Sequence, residues 1–203
     1  MTTPTPAGGG PGLEVVDPAA LLLPRVVLRP LDRGDTATVT RVFDGLSERS
    51  RRLRFLAPTP RLDAEVLALL TDVDHDRHGC WVAVVDGEPV GVGRYVRLGD
   101  EPDVAEVALE VVDAYQGHGL GRLLRGVVAV AAADVGITRL LWVLDPANTA
   151  IRRLAVPLGG RFALEAGALE GRTPMPVVDP LLAARVRRAA RCARDGATLQ
   201  GAA

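Results

Sequence analysis

Residues 104–134 constrain the fold of this chain more than any other stretch. An alternating run, AEVALEVV at 105–112, passes through Gln116-Gly117-His118-Gly119-Leu120-Gly121 straight into an amphipathic helix. The two-residue period of a strand puts Glu106, Ala108 and Glu110 on one face and Val107, Leu109 and Val111 on the other. In the helix, Leu120, Leu123, Leu124, Val127 and Ala131 are spaced for one apolar stripe, and Gly136 can stop it. The glycines let successive backbone N–H groups converge without Cβ obstruction. The first helical turn adds unpaired N–H groups and partial positive charge. Together they predict a seat for a pyrophosphate. Arg122 and Arg125 lie in the first turns, where a basic residue opposes the helix dipole. An anion nearby explains them, and the plain alternative is ordinary surface arginines.

A glycine turn of this kind also opens dinucleotide-binding units, but those need GxGxxG followed by an acidic residue about 20 positions on. Here the glycines are Gly117, Gly119 and Gly121, and several antiparallel-looking strands precede them. Strands are predicted at 25–29, 80–85, 90–98, 104–112, 139–144 and 161–165, the last of these a core strand, with a further one at 173–177. Asp86-Gly87 reads as a hairpin turn. Helices are predicted at 32–46, from Ser47 as N-cap, at 63–70, 120–135, from Asn148, and at 179–194. Hairpins followed by a strand–helix–strand crossover predict a mixed α/β fold, its central sheet mostly antiparallel and flanked by helices.

The 203 residues suit one main domain. Residues 1–20, rich in Pro and Gly, are expected to be disordered. Residues 21–178 form the predicted domain, and 179–203 a peripheral, arginine-rich amphipathic helix and tail. A net charge of −1 and 3% aromatics give no reason to expect nucleic acid or a membrane surface as partner. No apolar stretch is long enough to span a bilayer, and the amino terminus lacks a signal-peptide pattern. Cys80 and Cys192 are isolated, so no metal site is expected, and two lone thiols suit a cytoplasmic location. His75 and His78 in DHDRHG read as a polar turn, and Asp72, Asp74 and Asp76 as a solvated or acceptor-facing rim. The chain contains no lysine; all 24 Lys and Arg residues are arginine.

Gln116 to Gly121 fits Gln/Arg-x-x-Gly-x-Gly/Ala, and here the sequence resembles the GNAT acyltransferase superfamily over about residues 25–178. The resemblance implies acetyl-CoA as acyl-donor cosubstrate and an amine as acceptor. It places Leu109, Glu110 and Val111 beside the pantetheine, where the strand splays from its neighbour. Gln116, Gly117, His118, Gly119, Leu120, Gly121 and Arg122 wrap the pyrophosphate, His118 chiefly through its backbone. Asn148 in DPANTAIRRL lies where the family contacts the pantetheine or supports the cofactor wall. More narrowly, FDGLSERSRRLRFL at 43–56 and AEVALEVVDAYQ at 105–116 are similar to bacterial protein-lysine acetyltransferases. That likeness implies a protein lysine as acceptor, with Glu106 as base. Many of those enzymes carry a regulatory domain, which is not expected within these 203 residues.

A lysine-like amine, pKa about 10.4, must lose a proton before it attacks a thioester. Glu106 is the leading proton acceptor and Glu110 the reserve. The plain alternative for either is a surface pairing with Arg94 or Arg97. A backbone N–H near Val111 or Val112 is expected to stabilise the oxyanion. Many relatives carry a tyrosine acid about seven positions after the asparagine. Here Leu154, Ala155 and Val156 stand there and Pro157 interrupts the helix, leaving Tyr115 as a minor candidate. Two rival functions remain: acetylation of a small amine, and a non-catalytic acyl-CoA-binding module. Oligomeric state is open.

Overall fold

A computed structural model describes residues 13–15 and 26–200, with side chains for 26–193. Eight described strands form one sheet: β1 (Leu13–Val15), β2 (Val26–Pro30), β3 (His78–Val85), β4 (Glu88–Arg97), β5 (Val104–Val111), β6 (Arg139–Leu144), β7 (Arg161–Glu165) and β8 (Ala168–Pro174). They lie in the order β1-β2-β3-β4-β5-β6-β8-β7. Only β5 and β6 pair in parallel; every other described neighbour is antiparallel. The fold is therefore the mixed, mostly antiparallel α/β sheet expected from the sequence.

The helices are α1 (Thr36–Asp44), α2 (Glu48–Phe55), α3 (Ala64–Thr71), α4 (Leu120–Asp134), α5 (Thr149–Ala155) and α6 (Pro180–Gln200). Side-chain caps fix five of their starts, α6 through Asp179 Oδ1, which accepts from Leu182 N at 3.0 Å. Asp35, Ser47, Asp63 and Asn148 each accept a backbone N–H from three residues on, at 3.0, 3.2, 2.8 and 3.1 Å. α4 differs: it starts at Gly119 with no side-chain cap.

Two apolar layers enclose the sheet. On one face α4 packs Leu120, Leu124 and Val127 against Trp81, Val85 and Val90. On the other, Val39 and Val42 of α1 pack against Val82 and Val92. α6 belongs to the first layer, because Val186 and Ala189 are each 1% exposed within its core. The expectation of a solvated, peripheral helix is corrected by that apolar stripe. The 161–165 strand also differs from its reading as a core strand. It forms the outer edge, with four of its five residues exposed, while β8 takes the inner place beside β6. Of the 1–20 segment expected to be disordered, Leu13–Val15 pairs with β2, and the remainder lies outside the described residues.

Candidate active site

The site begins where β5 and β6 part. They pair only through Val104↔Arg139, Ala105↔Leu140 and Glu106↔Leu141. On the far side, β5 stays paired with β4 along its length. Leu98 N donates to Val104 O and Val112 N to Val90 O, both at 2.9 Å. Antiparallel strands alternate their hydrogen-bonding direction. The even residues of β5 therefore face β4, and Val107, Leu109 and Val111 turn their N–H groups toward β6. Beyond Glu106, β6 is no longer paired with them, so the opening presents a row of backbone donors. Val112 is corrected as an oxyanion candidate, since its N–H is spent on Val90; Val111 keeps that orientation.

The glycine loop closes the far end of this opening. Gly117 and Gly119 have φ of +79° and +91°, a region that side chains with a Cβ disfavour. An added Cβ at Gly117 would meet nothing within 4 Å, so that position demands glycine through conformation alone. At Gly121 a Cβ would approach Leu154 Cδ1 to 3.2 Å, so close packing against α5 operates there. Leu123 N is the first to bond back, to Gly119 O at 3.1 Å, which leaves the N–H groups of Leu120, Gly121 and Arg122 at the uncapped helix start. The Gln116 side chain braces the turn: its Nε2 donates to Val111 O at 3.0 Å and to Asp113 Oδ1 at 3.2 Å.

Between loop and splay lies a cleft of about 540 Å³. Leu109, Glu110 and Val111 form its floor, Gln116, Gly117, Gly119, Leu120, Gly121 and Arg122 its loop end, and Asn148, Ile151 and Leu154 one wall. α2 forms the opposite wall with Ser50, Leu53 and Arg54. Asn148 spends Oδ1 on capping α5, which leaves its Nδ2 available to the cleft. Glu106, Val112, His118 and Arg125 fall outside this lining. His118 is half-buried, and its buried Nδ1 has no partner among the described residues. Arg125 donates to Leu154 O at 2.8 Å, so it fastens α5 to α4 and is not a free surface arginine. Arg122 is exposed and lines the cleft without a described partner.

The two glutamates occupy opposite settings. Glu110 is 2% exposed at its side chain, and its Oε1 accepts from Arg54 Nε at 2.8 Å. Glu106 is exposed, lies outside the cleft lining, and has no ion pair among the described residues. Neither expected arginine pairs with it. Arg94 is buried and donates to Leu70 O at 2.8 Å; Arg97 donates to Val135 O at 2.6 Å and to Pro102 O. The DHDRHG segment is a polar turn: Asp74 Oδ1 accepts the backbone N–H groups of Asp76, Arg77 and His78, and these bonds outweigh burial to hold its carboxyl below the usual range. No cluster of three metal-ligating side chains occurs among the described residues. At the family tyrosine's place Ala155 is fully buried, and Tyr115 is the one tyrosine in the cleft lining.

The arginines of α2 were not legible as site residues. Arg54 holds Glu110, and Arg52 Nη1 reaches Asp145 Oδ2 at 3.0 Å across the opening. The only sequence signal was four arginines, Arg49, Arg51, Arg52 and Arg54, in an eight-residue helix.

Residues 46–159 match the model of the acetyltransferase (GNAT) family. The chain is 33% identical over 177 residues to acetyltransferase Pat of Mycolicibacterium smegmatis, covering 81% of this chain and 51% of that protein. It thus spans about half the length of that relative. It is 34% identical over 139 residues to acetyltransferase PA5475 of Pseudomonas aeruginosa, covering 66% of this chain and 74% of that one. Among solved structures, the GNAT domain of S. lividans PAT superposes with a TM-score of 0.72 at 28% identity, covering 80% of this chain and 96% of that domain.

Proposed function

The chain belongs to the acetyltransferase (GNAT) family, and from that premise we propose that it transfers an acetyl group from acetyl-CoA to an amine, with a protein lysine as the favoured acceptor. The observation that carries this reading is one continuous cleft. It runs from the uncapped start of α4 to the row of N–H groups where β5 leaves β6. The helix start and Arg122 suit the pyrophosphate. Leu109, Val111 and Asn148 suit the amide-bearing pantetheine arm, which then points toward Glu106.

Strand geometry sorts the donors. At about 3.3 Å per residue, Leu109 lies about 10 Å along β5 from Glu106, and Val111 about 17 Å. Leu109 N–H is then the better placed of the two to meet the thioester oxygen as it gains charge, and Val111 N–H to hold the arm. The amine gives up its proton to Glu106, directly or through water, as its nitrogen attacks the carbonyl carbon. Collapse of the adduct breaks the C–S bond and releases the thiolate, which takes a proton from solvent.

The setting of Glu106 supports a protein acceptor. Glu106 and its cross-strand partner Val96 are both exposed, Val96 by 43%, so the carboxylate stands on an open sheet face and not at the bottom of a pocket. A lysine on a folded surface can approach such a face. A first test is calorimetric titration of acetyl-CoA, followed by incubation with lysine-bearing proteins and with small amines. Saturable binding and lysine acetylation are expected, and the lysine-free chain contributes no acetyl-lysine of its own. Absence of binding at millimolar acetyl-CoA, in folded protein, overturns the reading. Acetylation of small amines alone replaces the acceptor.

A further inference from the structure

α2 buries none of its residues, yet Arg49, Ser50, Leu53 and Arg54 line the cleft. Its attachments are specific. Counting four residues on from the Glu106↔Leu141 pair brings β5 to Glu110 and the other strand to Asp145, one residue past the end of β6, so these two carboxylates stand on opposite lips of the splay. Arg54 bonds the first at 2.8 Å and Arg52 the second at 3.0 Å. One helix therefore ties both lips together across the gap. At the loop end, Ser47 N donates to Asp113 Oδ1 at 3.3 Å.

We propose that α2 is a strap over the pantetheine arm, latched by Arg52 and Asp145, and that this latch sets the rate at which CoA leaves. The inference rests on the acetyl-CoA reading of the cleft. The two anchors are unequal. Glu110 is 2% exposed and Arg54 19%, which makes that pair a hinge point. Arg52 is 50% exposed and Asp145 14%, which makes the second pair the one that opens first. Opening it frees the β6 lip while the β5 lip stays held. Arg52 and Asp145 are positioning residues: they act on the cosubstrate through the helix they fasten.

The test measures dissociation of a fluorescent CoA analogue chased with excess unlabelled CoA. Asp145→Asn removes the charge but keeps an oxygen for the Ala147 N–H that Asp145 Oδ1 now accepts at 2.8 Å, so the turn into α5 survives. It is expected to raise the dissociation rate about two- to fivefold with little change in association. Arg52→Gln should do the same, the double variant no more than either, and Arg52→Lys should stay within about twofold of wild type. Unchanged dissociation in both single variants, or effects that add in the double, overturns the latch while leaving the cofactor reading intact. Failure of the wild-type chain to bind the analogue overturns both.

Discussion

Glu106 and Glu110 share one face of β5, yet one carboxylate is exposed and unpaired among the described residues while the other is 2% exposed and bonded to Arg54. Their substitutions should separate accordingly. Glu106→Gln removes a proton acceptor from an open face. Turnover should fall about 10²- to 10⁴-fold, with acetyl-CoA affinity within about twofold of wild type. Glu110→Gln leaves a guanidinium without its counter-charge and should cost about 1–3 kcal/mol in urea unfolding, with weaker cofactor binding. Normal turnover in Glu106→Gln removes it as the base.

The glycine turn into α4, proposed above as the phosphate seat, was legible because its requirement is local. Gly117 and Gly119 favour glycine for conformation and Gly121 a small residue for packing, and a helix must follow at once; all are written in consecutive residues. The mixed, mostly antiparallel character of the sheet followed from hairpin turns and one crossover. α6 was misjudged because its two fully buried residues, Val186 and Ala189, are small and sit among arginines, so its stripe is narrow in sequence. The strap was not legible at all. Arg52 and Asp145 are 93 residues apart, and only the divergence of β5 from β6 brings them together.

Gly119 offers a test of the loop apart from the chemistry. Its φ of +91° disfavours any side chain, and it precedes the free N–H groups of α4. Gly119→Ala should cost about 1 kcal/mol of stability and weaken acetyl-CoA binding about tenfold. Gly119→Glu adds a negative charge at the anion seat and should abolish binding in calorimetry while the protein still melts cooperatively. Retained affinity in Gly119→Glu would place the pyrophosphate elsewhere.

His78 should make the fold sensitive to mild acid. Arg94 Nη1 lies 3.3 Å from His78 Nε2, and an arginine can only donate, so Nε2 accepts and Nδ1–H donates to Asp72 O at 3.2 Å. That network requires a neutral ring. Burial, and then the Arg94 charge, hold the His78 pKa below its ordinary 6.5. Between the two values the unfolded chain binds more protons than the folded one, so stability rises with pH through this window. The contribution is complete above about 6.5 and is lost as pH falls through the depressed folded value. Melting temperatures from pH 7.5 down to 5 should fall in the wild type and fall less in His78→Gln. Parallel curves would assign the acid sensitivity to other groups.

Val96 lies opposite Glu106 in the β4–β5 ladder and is 43% exposed. Directly opposed residues bring their Cβ atoms to about 5 Å, close enough for a long basic side chain to meet the carboxylate. Val96→Arg should therefore give Glu106 the ion pair it now lacks and place a positive charge where a protonated lysine arrives. The expected result is a drop of about tenfold or more in kcat/KM toward a protein acceptor, with calorimetric acetyl-CoA affinity unchanged, because neither residue lines the cofactor cleft. Val96→Thr, similar in size and uncharged, should stay within about threefold of wild type. The pair also distinguishes acceptor classes. A large lysine-bearing protein must cover the face around Val96 and should respond to both charge and bulk there, whereas a small amine threading to Glu106 should respond to charge alone. Equal kcat/KM in wild type and Val96→Arg would mean that the amine does not approach across this face, and the base would have to be sought nearer Glu110.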